Sequence, residues 1–248
     1  FKPEAKQRML DLVNNLQKTY GDRIMRLDWM SDATKQKAMG KLNTFIKKIG
    51  YPDKWKDYSK LNVVGNDFVK NVIASSAFEY NYNISRLGKP VDRTEWGMTP
   101  PTVNAYYNPA FNEIVFPAGI LQYPFFSDAA DDALNYGGIG GVIGHEMTHG
   151  FDDQGSQYDE EGNLKNWWTP EDAKKFAQKT SMVVKQFNDY TVLDIVHVNG
   201  MLTLGENLAD LGGLAIAYEA FKKTKQGQGN EKIDGFTPDQ RFFLSWAQ

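Results

Sequence analysis

The residues best placed to do chemistry lie in the string Gly144-His145-Glu146-Met147-Thr148-His149-Gly150. On a helix, positions i and i+4 share a face, so the imidazoles of His145 and His149 can point at one ion. Glu146 lies one step round, where its carboxylate can reach a water on that ion. Two histidine ligands and an acid able to act as general base form the H-E-x-x-H arrangement, whose ion is a single Zn2+. Five residues can match by chance, so the surroundings matter. The chain has three histidines, and two of them are here. The preceding run, Gly137-Gly138-Ile139-Gly140-Gly141-Val142-Ile143, carries little side-chain bulk. So poor a helix former is expected where another element must pack closely against it.

A catalytic zinc needs a third protein ligand and an open position. No third histidine follows at the spacing that some zinc peptidases use; Asp152-Asp153-Gln154-Gly155 stands there instead. The candidate is Glu206, in Gly205-Glu206-Asn207-Leu208-Ala209-Asp210. Glu206 and Asp210 are four apart on an expected helix. Glu206 can complete a His2Glu set, and Asp210 can accept the second ring N–H of a ligand histidine. Without the first motif, the pair reads rather as an exposed acidic face. Asp152 is a second candidate for orienting a histidine, or is simply a turn former.

The elements that must position these groups can be read from apolar spacing and breakers. A helix is expected from residue 4 to about Tyr20, stopped by Gly21. A second opens at Ser31-Asp32-Ala33-Thr34, continues to Ile49 and ends at Gly50-Tyr51-Pro52. A loop over 52–65 precedes a third helix from Asp67 to about Leu87. Thr102 to Tyr107 and Glu113 to Phe116 read as two strands of a hairpin. Residues 128–150 read as one helix carrying the chemistry, and 151–168 as a polar loop. Thr169-Pro170-Glu171-Asp172 then opens a helix to about Phe187. Further helices are expected over Gly205 to Phe221 and after Pro238.

The bulk composition excludes several classes. With 248 residues, 41% hydrophobic and 24% charged, the chain is long enough and apolar enough to fold. A net charge of −3 lacks the basic footprint of a nucleic-acid binder. No run approaches the ~18 apolar residues of a membrane span. There is no cysteine, so a metal site must use His, Asp and Glu.

With these strings on the page, the chain resembles the neprilysin-like zinc metallopeptidases, a family that includes the endothelin-converting enzymes and bacterial oligopeptidases. The resemblance rests on Val103-Asn104-Ala105-Tyr106-Tyr107, on Ile114 through Gln122, on the zinc helix with Gly150-Phe151-Asp152-Asp153-Gln154-Gly155, and on Asn199-Gly200 through Asp210. It covers about residues 100–220. It implies an α+β, mainly α-helical, thermolysin-like (gluzincin) catalytic lobe, with a small hairpin or sheet carrying a substrate-binding edge strand. It implies cleavage of peptides on the amino side of hydrophobic residues. Asn104 and Ala105 would hydrogen-bond the substrate backbone from that strand. Ile120, Phe125 and Val142 would line the hydrophobic pocket beside the scissile bond, or else be ordinary core.

The domain expectation is a helical segment over 1–100 leading into a zinc-binding core over 101–248, truncated at the C-terminus. Family members carry a further histidine and arginine near their C-terminus. Here no histidine follows His197, and Arg241 does not fit that role. His197 is expected to be structural. The chain therefore reads as incomplete, with the remainder supplied by a companion chain or absent. A zinc-binding fragment that is inactive without that segment is the alternative function. A third reading, a nucleotide-binding glycine loop at Gly138 to Gly144, needs a preceding strand that the sequence does not offer. The resemblance implies an extracytoplasmic location, secreted, periplasmic or surface-anchored. The missing cysteines favour a bacterial origin.

Overall fold

The structure, a computed structural model, describes residues 1–248. The chain is mainly helical with short strands, an α+β architecture, and it divides into two compact units. One unit joins Phe1–Tyr51 to Met98–Gln248; the other is Pro52–Gly97.

The larger unit opens with α1 (Pro3–Arg26), which buries Met9, Leu12, Val13 and Leu16 on one stripe. This helix runs through Gly21 rather than stopping there. Gly21 faces Met39 and Leu42 of α2 (Asp32–Asn43), and that packing outweighs the ~1 kcal/mol cost of a helical glycine. Ser31 caps α2 by accepting from the Thr34 amide. The expected continuation of α2 to Ile49 does not occur: Ile46–Gly50 forms strand β1. The Asn112 side chain explains the break. Its Nδ2 donates to the Lys41 carbonyl and the Thr44 hydroxyl at the helix end, and its own carbonyl accepts from the Ile46 amide, 2.9 Å away.

β2 (Tyr106–Asn108) and β3 (Glu113–Pro117) form the expected antiparallel hairpin. β1 pairs with β3 in parallel, so the order is β1-β3-β2 and β2 is an edge. Strand β2 is shorter than the sequence suggested. Asn104 and Ala105 precede it, because Asn104 Oδ1 takes the Ala105 amide at 2.8 Å instead of leaving it for a ladder.

The single helix expected over 128–150 is two helices, α4 (Asp132–Gly137) and α5 (Ile139–His149). They part at Gly138 because the Phe125 carbonyl takes the Ile139 amide at 2.7 Å and sits 2.5 Å from where a Gly138 Cβ would be. The element before the glycine run is thus a helix, not the strand that a nucleotide loop requires. α6 (Pro170–Asn188) follows, capped by Thr169, then a ribbon of β4 (Thr191–Val192) and β5 (Val196–His197). His197 lies in this exposed ribbon, with Nδ1 3.4 Å from the Thr191 hydroxyl. α7 (Leu204–Phe221), the short α8 (Lys225–Gln228) and α9 (Pro238–Trp246) complete the unit. No helix is long and apolar enough to cross a membrane.

The smaller unit is built on α3 (Phe68–Ile84), capped by Asp67. The Asn71 side chain both donates to and accepts from the Val64 backbone, which pins the preceding loop. Lys56 bonds Glu79 and lies over the rings of Tyr58, Phe78 and Tyr82.

Asp172, on the first turn of α6, ties that helix to α2. Its carboxylate accepts from the Ser31 amide at 3.1 Å, the Ser31 hydroxyl at 2.5 Å and the Thr34 hydroxyl at 2.6 Å. Burial alone would raise its pKa, but the hydrogen bonds from Ser31, Thr34 and Thr169 outweigh it and hold the carboxyl well below the usual range. A depressed folded-state pKa stabilises above the unfolded value of ~4 and is lost as pH falls through the folded one. Asp172→Ala should therefore cost about 1–3 kcal/mol at neutral pH. The gap from the parent should narrow below about pH 4, as urea unfolding at pH 7 and pH 3 would read.

Candidate active site

The site is built where α5 meets α7, at backbone contact distance. A Cβ on Gly144 would lie 2.4 Å from the Gly213 carbonyl oxygen, and one on Gly213 would lie 2.4 Å from the His145 amide nitrogen. Only two glycines face to face permit this approach. It is the close packing that the low bulk before His145 foretold, with Gly213 as the missing half.

The approach brings the chemistry of both helices together. His145 Nε2 and His149 Nε2 are 2.9 Å apart. Glu206 Oε2, from the first turn of α7, lies 3.3 Å from the first and 3.7 Å from the second. The other ring nitrogens are engaged: His145 Nδ1 meets Asp210 Oδ1 at 2.8 Å, and His149 Nδ1 meets Asp152 Oδ2 at 2.7 Å. A carboxylate can only accept, so each Nδ1 carries the proton and each Nε2 presents a lone pair. Two lone pairs and a carboxylate oxygen then face one small volume, an arrangement that repels itself unless a cation sits among them. Donors about 2.0–2.1 Å from a tetrahedral zinc lie ~3.3 Å from one another, close to the observed spacings. The donor set fits zinc.

Glu146 also lies near the imidazoles; its carboxylate and both ring nitrogens fall within 4.8 Å of one another. Distance alone admits either glutamate as a ligand, but their surroundings differ. The Glu206 side chain is 70% exposed and contacts both Nε2 atoms, whereas Glu146 is only 5% exposed. Burial pushes the Glu146 carboxyl up to about 7, against the opposing pull of His145 and His149, and the Tyr107 backbone N–H donates to it. A carboxylate poised near neutrality can both take and return a proton.

Two clefts open on these groups. The first, about 410 Å³, is bordered by Asn104, Ala105, Tyr107, His149, Gln154 and Glu206 among others. The second, about 440 Å³, includes Ile120, Phe125 and Val142 together with Asn104, His145 and Glu146. The structure thus gathers every site residue that the sequence nominated. It adds Leu214 and Trp246 to the apolar cleft and the Tyr107 amide to Glu146. Leu214 continues the four-residue spacing of Glu206 and Asp210, and Tyr107 follows Ala105 by two, so local spacing could have found both; Trp246, on α9, has no such signal. Asp152 and Asp210, each with an open role in the sequence, each hold one histidine.

A family profile described as Peptidase family M13 matches residues 104–248, and a second of the same description matches residues 1–52. The chain belongs to peptidase family M13. Rat endothelin-converting enzyme 1 is 42% identical across the whole of this chain, and the Locusta migratoria endothelin-converting enzyme homolog is 41% identical. Among solved structures, the inhibitor complex of the Mycobacterium tuberculosis zinc metalloprotease Zmp1 matches 98% of this chain at 52% identity with a TM-score of 0.93. PepO from Lactobacillus rhamnosis matches all of it at 38% identity and a TM-score of 0.89. The chain spans about a third of the two converting enzymes, 34% and 35% of their length, and 38% of each solved chain.

In this M13 chain the glycine contact carries a direct prediction. Gly213→Ala places a methyl group against backbone that cannot move aside cheaply, so stability should fall by about 1–3 kcal/mol. Zinc content after dialysis should fall with it, because the two helices must part. Thermal unfolding of the metal-free protein and metal analysis check the two effects separately.

Proposed function

We propose that this chain carries the zinc-dependent catalytic machinery of an endopeptidase, with His145, His149 and Glu206 as ligands of one zinc and Glu146 as general base. The observation that carries this reading is the convergence of two pinned imidazoles and one carboxylate oxygen beside a buried glutamate held near neutrality. Family membership supports it.

Zinc in such a set acidifies water and polarises a carbonyl. Glu146 takes one proton from the attacking water as its oxygen bonds to the scissile carbonyl carbon. As the C–N bond breaks, Glu146 delivers that proton to the departing amine. Asp210 and Asp152 keep each histidine in the tautomer that offers Nε2. We assign the Asn104 side chain and the Ala105 carbonyl, beside the edge strand β2, to the peptide backbone. Ile120, Phe125 and Val142 give the second cleft an apolar wall suited to the side chain that follows the scissile bond. Burying such a side chain contributes about 1.5–3 kcal/mol, or roughly 10- to 100-fold in preference. An extracytoplasmic setting goes with this reading, and the 52% identity to a bacterial protease supports a bacterial origin.

One observation favours a second reading, zinc binding with weak turnover by these residues alone. No lysine or arginine borders either cleft. Loss of a single oxyanion donor typically costs ~100- to 1000-fold in rate.

The experiment is hydrolysis of quenched peptides carrying Phe or Leu, against Asp, after the scissile bond, with a chelator control. Chelator-sensitive cleavage favouring Phe and Leu is expected; indifference to chelation would sink the proposal. Glu146→Gln should retain zinc yet lose ~100- to 10,000-fold in turnover. Glu206→Gln should weaken zinc by more than the ~10- to 100-fold typical of losing an outer partner. Unchanged metal content would remove Glu206 from the ligand set.

A further inference from the structure

We propose that Lys41, far from the site in sequence, is a positioning residue that holds the Asp152–His149 arm of the metal centre; this rests on the zinc reading above. Lys41 is 1% exposed, and a fully buried ammonium requires partners that offset its lost hydration. Its Nζ donates to the Gly155 carbonyl at 2.5 Å and to the Tyr158 carbonyl at 2.7 Å. The rings of Tyr107 and Phe151 lie 5.8 Å from it.

The Gly155 peptide is the link. Its N–H donates to Asp152 Oδ1 at 2.7 Å, and the Gln154 N–H joins it on the same oxygen at 2.9 Å. The other oxygen of Asp152 accepts from His149 Nδ1 at 2.7 Å. Gly155 is also pressed onto the backbone of the ligand itself, since a Cβ there would lie 1.7 Å from the His149 carbonyl oxygen. The turn that aims Asp152 is therefore gripped on its carbonyl side by Lys41 and on its amide side by Asp152. Trp167 and Trp168 brace the same loop at the Tyr158 and Ser156 carbonyls, but neither reaches Gly155. Burial lowers the Lys41 pKa to about 8, while Asp152 and Asp159 favour its charged form. Lys41 borders neither cleft, so it acts through the turn and not on substrate.

A buried lysine could instead serve only the general stability of the fold, and the test must separate the two. In the intact protein, zinc affinity is measured by chelator competition for the parent, Lys41→Met, Asp152→Ala and the double variant, alongside thermal unfolding of each metal-free form. Lys41→Met keeps the apolar stem and removes the donors. It should weaken zinc about tenfold, and Asp152→Ala by ~10- to 100-fold. The double variant should be no weaker than Asp152→Ala alone, because both changes act on one arm. Lys41→Gln, which retains one donor group, should fall between parent and Lys41→Met. The proposal is overturned if Lys41→Met binds zinc within about twofold of the parent, or if the two losses multiply. It is also overturned if Lys41→Met and Lys41→Gln both fail to fold, since Lys41 would then support the whole molecule. A parent that binds no zinc would defeat the metal reading itself, a result distinct from an indifferent Lys41→Met.

Discussion

The site depends on the backbone contact between α5 and α7. Helices usually pack 8–10 Å apart, with side chains filling the space between axes. Here Gly144 and Gly213 remove that filling, and Gly212 lies against the Thr148 side chain. The two histidines project from one helix and the acids Glu206 and Asp210 from the other, each pair four residues apart. The close approach brings the Glu206 carboxylate of α7 to within 3.7 Å of both Nε2 atoms. Helix propensity is given up over residues 137–144 to achieve this, which is why the run looks so unlike a stable helix in isolation.

Charge is the second constraint. Glu146, Glu206, Asp152 and Asp210 surround two imidazoles, and the four carboxylates have different work because their environments differ. Asp152 and Asp210 are occupied by ring N–H groups. Glu206 is largely exposed and turns a carboxylate oxygen toward both Nε2 atoms, where it can face a cation. Glu146 is buried and sits where desolvation disfavours its charge. On the reading proposed above, the same residue type serves as a ligand at one depth and as a proton carrier at another.

Much of this was legible in the sequence, because helical spacing alone puts His145 with His149 and Glu206 with Asp210. What spacing cannot state is which helix meets which, so Trp246 of α9 was invisible as a neighbour of the site, whereas Leu214, four residues past Asp210, was within its reach. The errors in secondary structure share one cause. Residues 46–50 and Gly138 have local signals compatible with helix, yet Asn112 and the Phe125 carbonyl, both remote, claim the backbone groups that a helix would need. Asn104 and Ala105 were misplaced into the strand for a local reason, a side chain that outcompetes the ladder for its neighbour's amide.

Asn112 and Lys41 also show why the first fifty residues belong with the chemistry. Asn112 accepts from the Tyr107 hydroxyl at 2.9 Å and donates to the Lys41 carbonyl at 3.0 Å. Tyr107 gives its backbone N–H to Glu146, while the Lys41 ammonium holds the turn that aims Asp152. The end of α2 is thus linked through Asn112 and Tyr107 toward Glu146 and through Lys41 and Asp152 toward His149. Residues 1–51 and the motif helices lie in one compact unit. A helix end that served only as scaffold would need neither a buried ammonium nor a shared asparagine. Its polar groups are spent on the neighbours of Glu146 and His149, the two side chains that the proposed mechanism needs held in place.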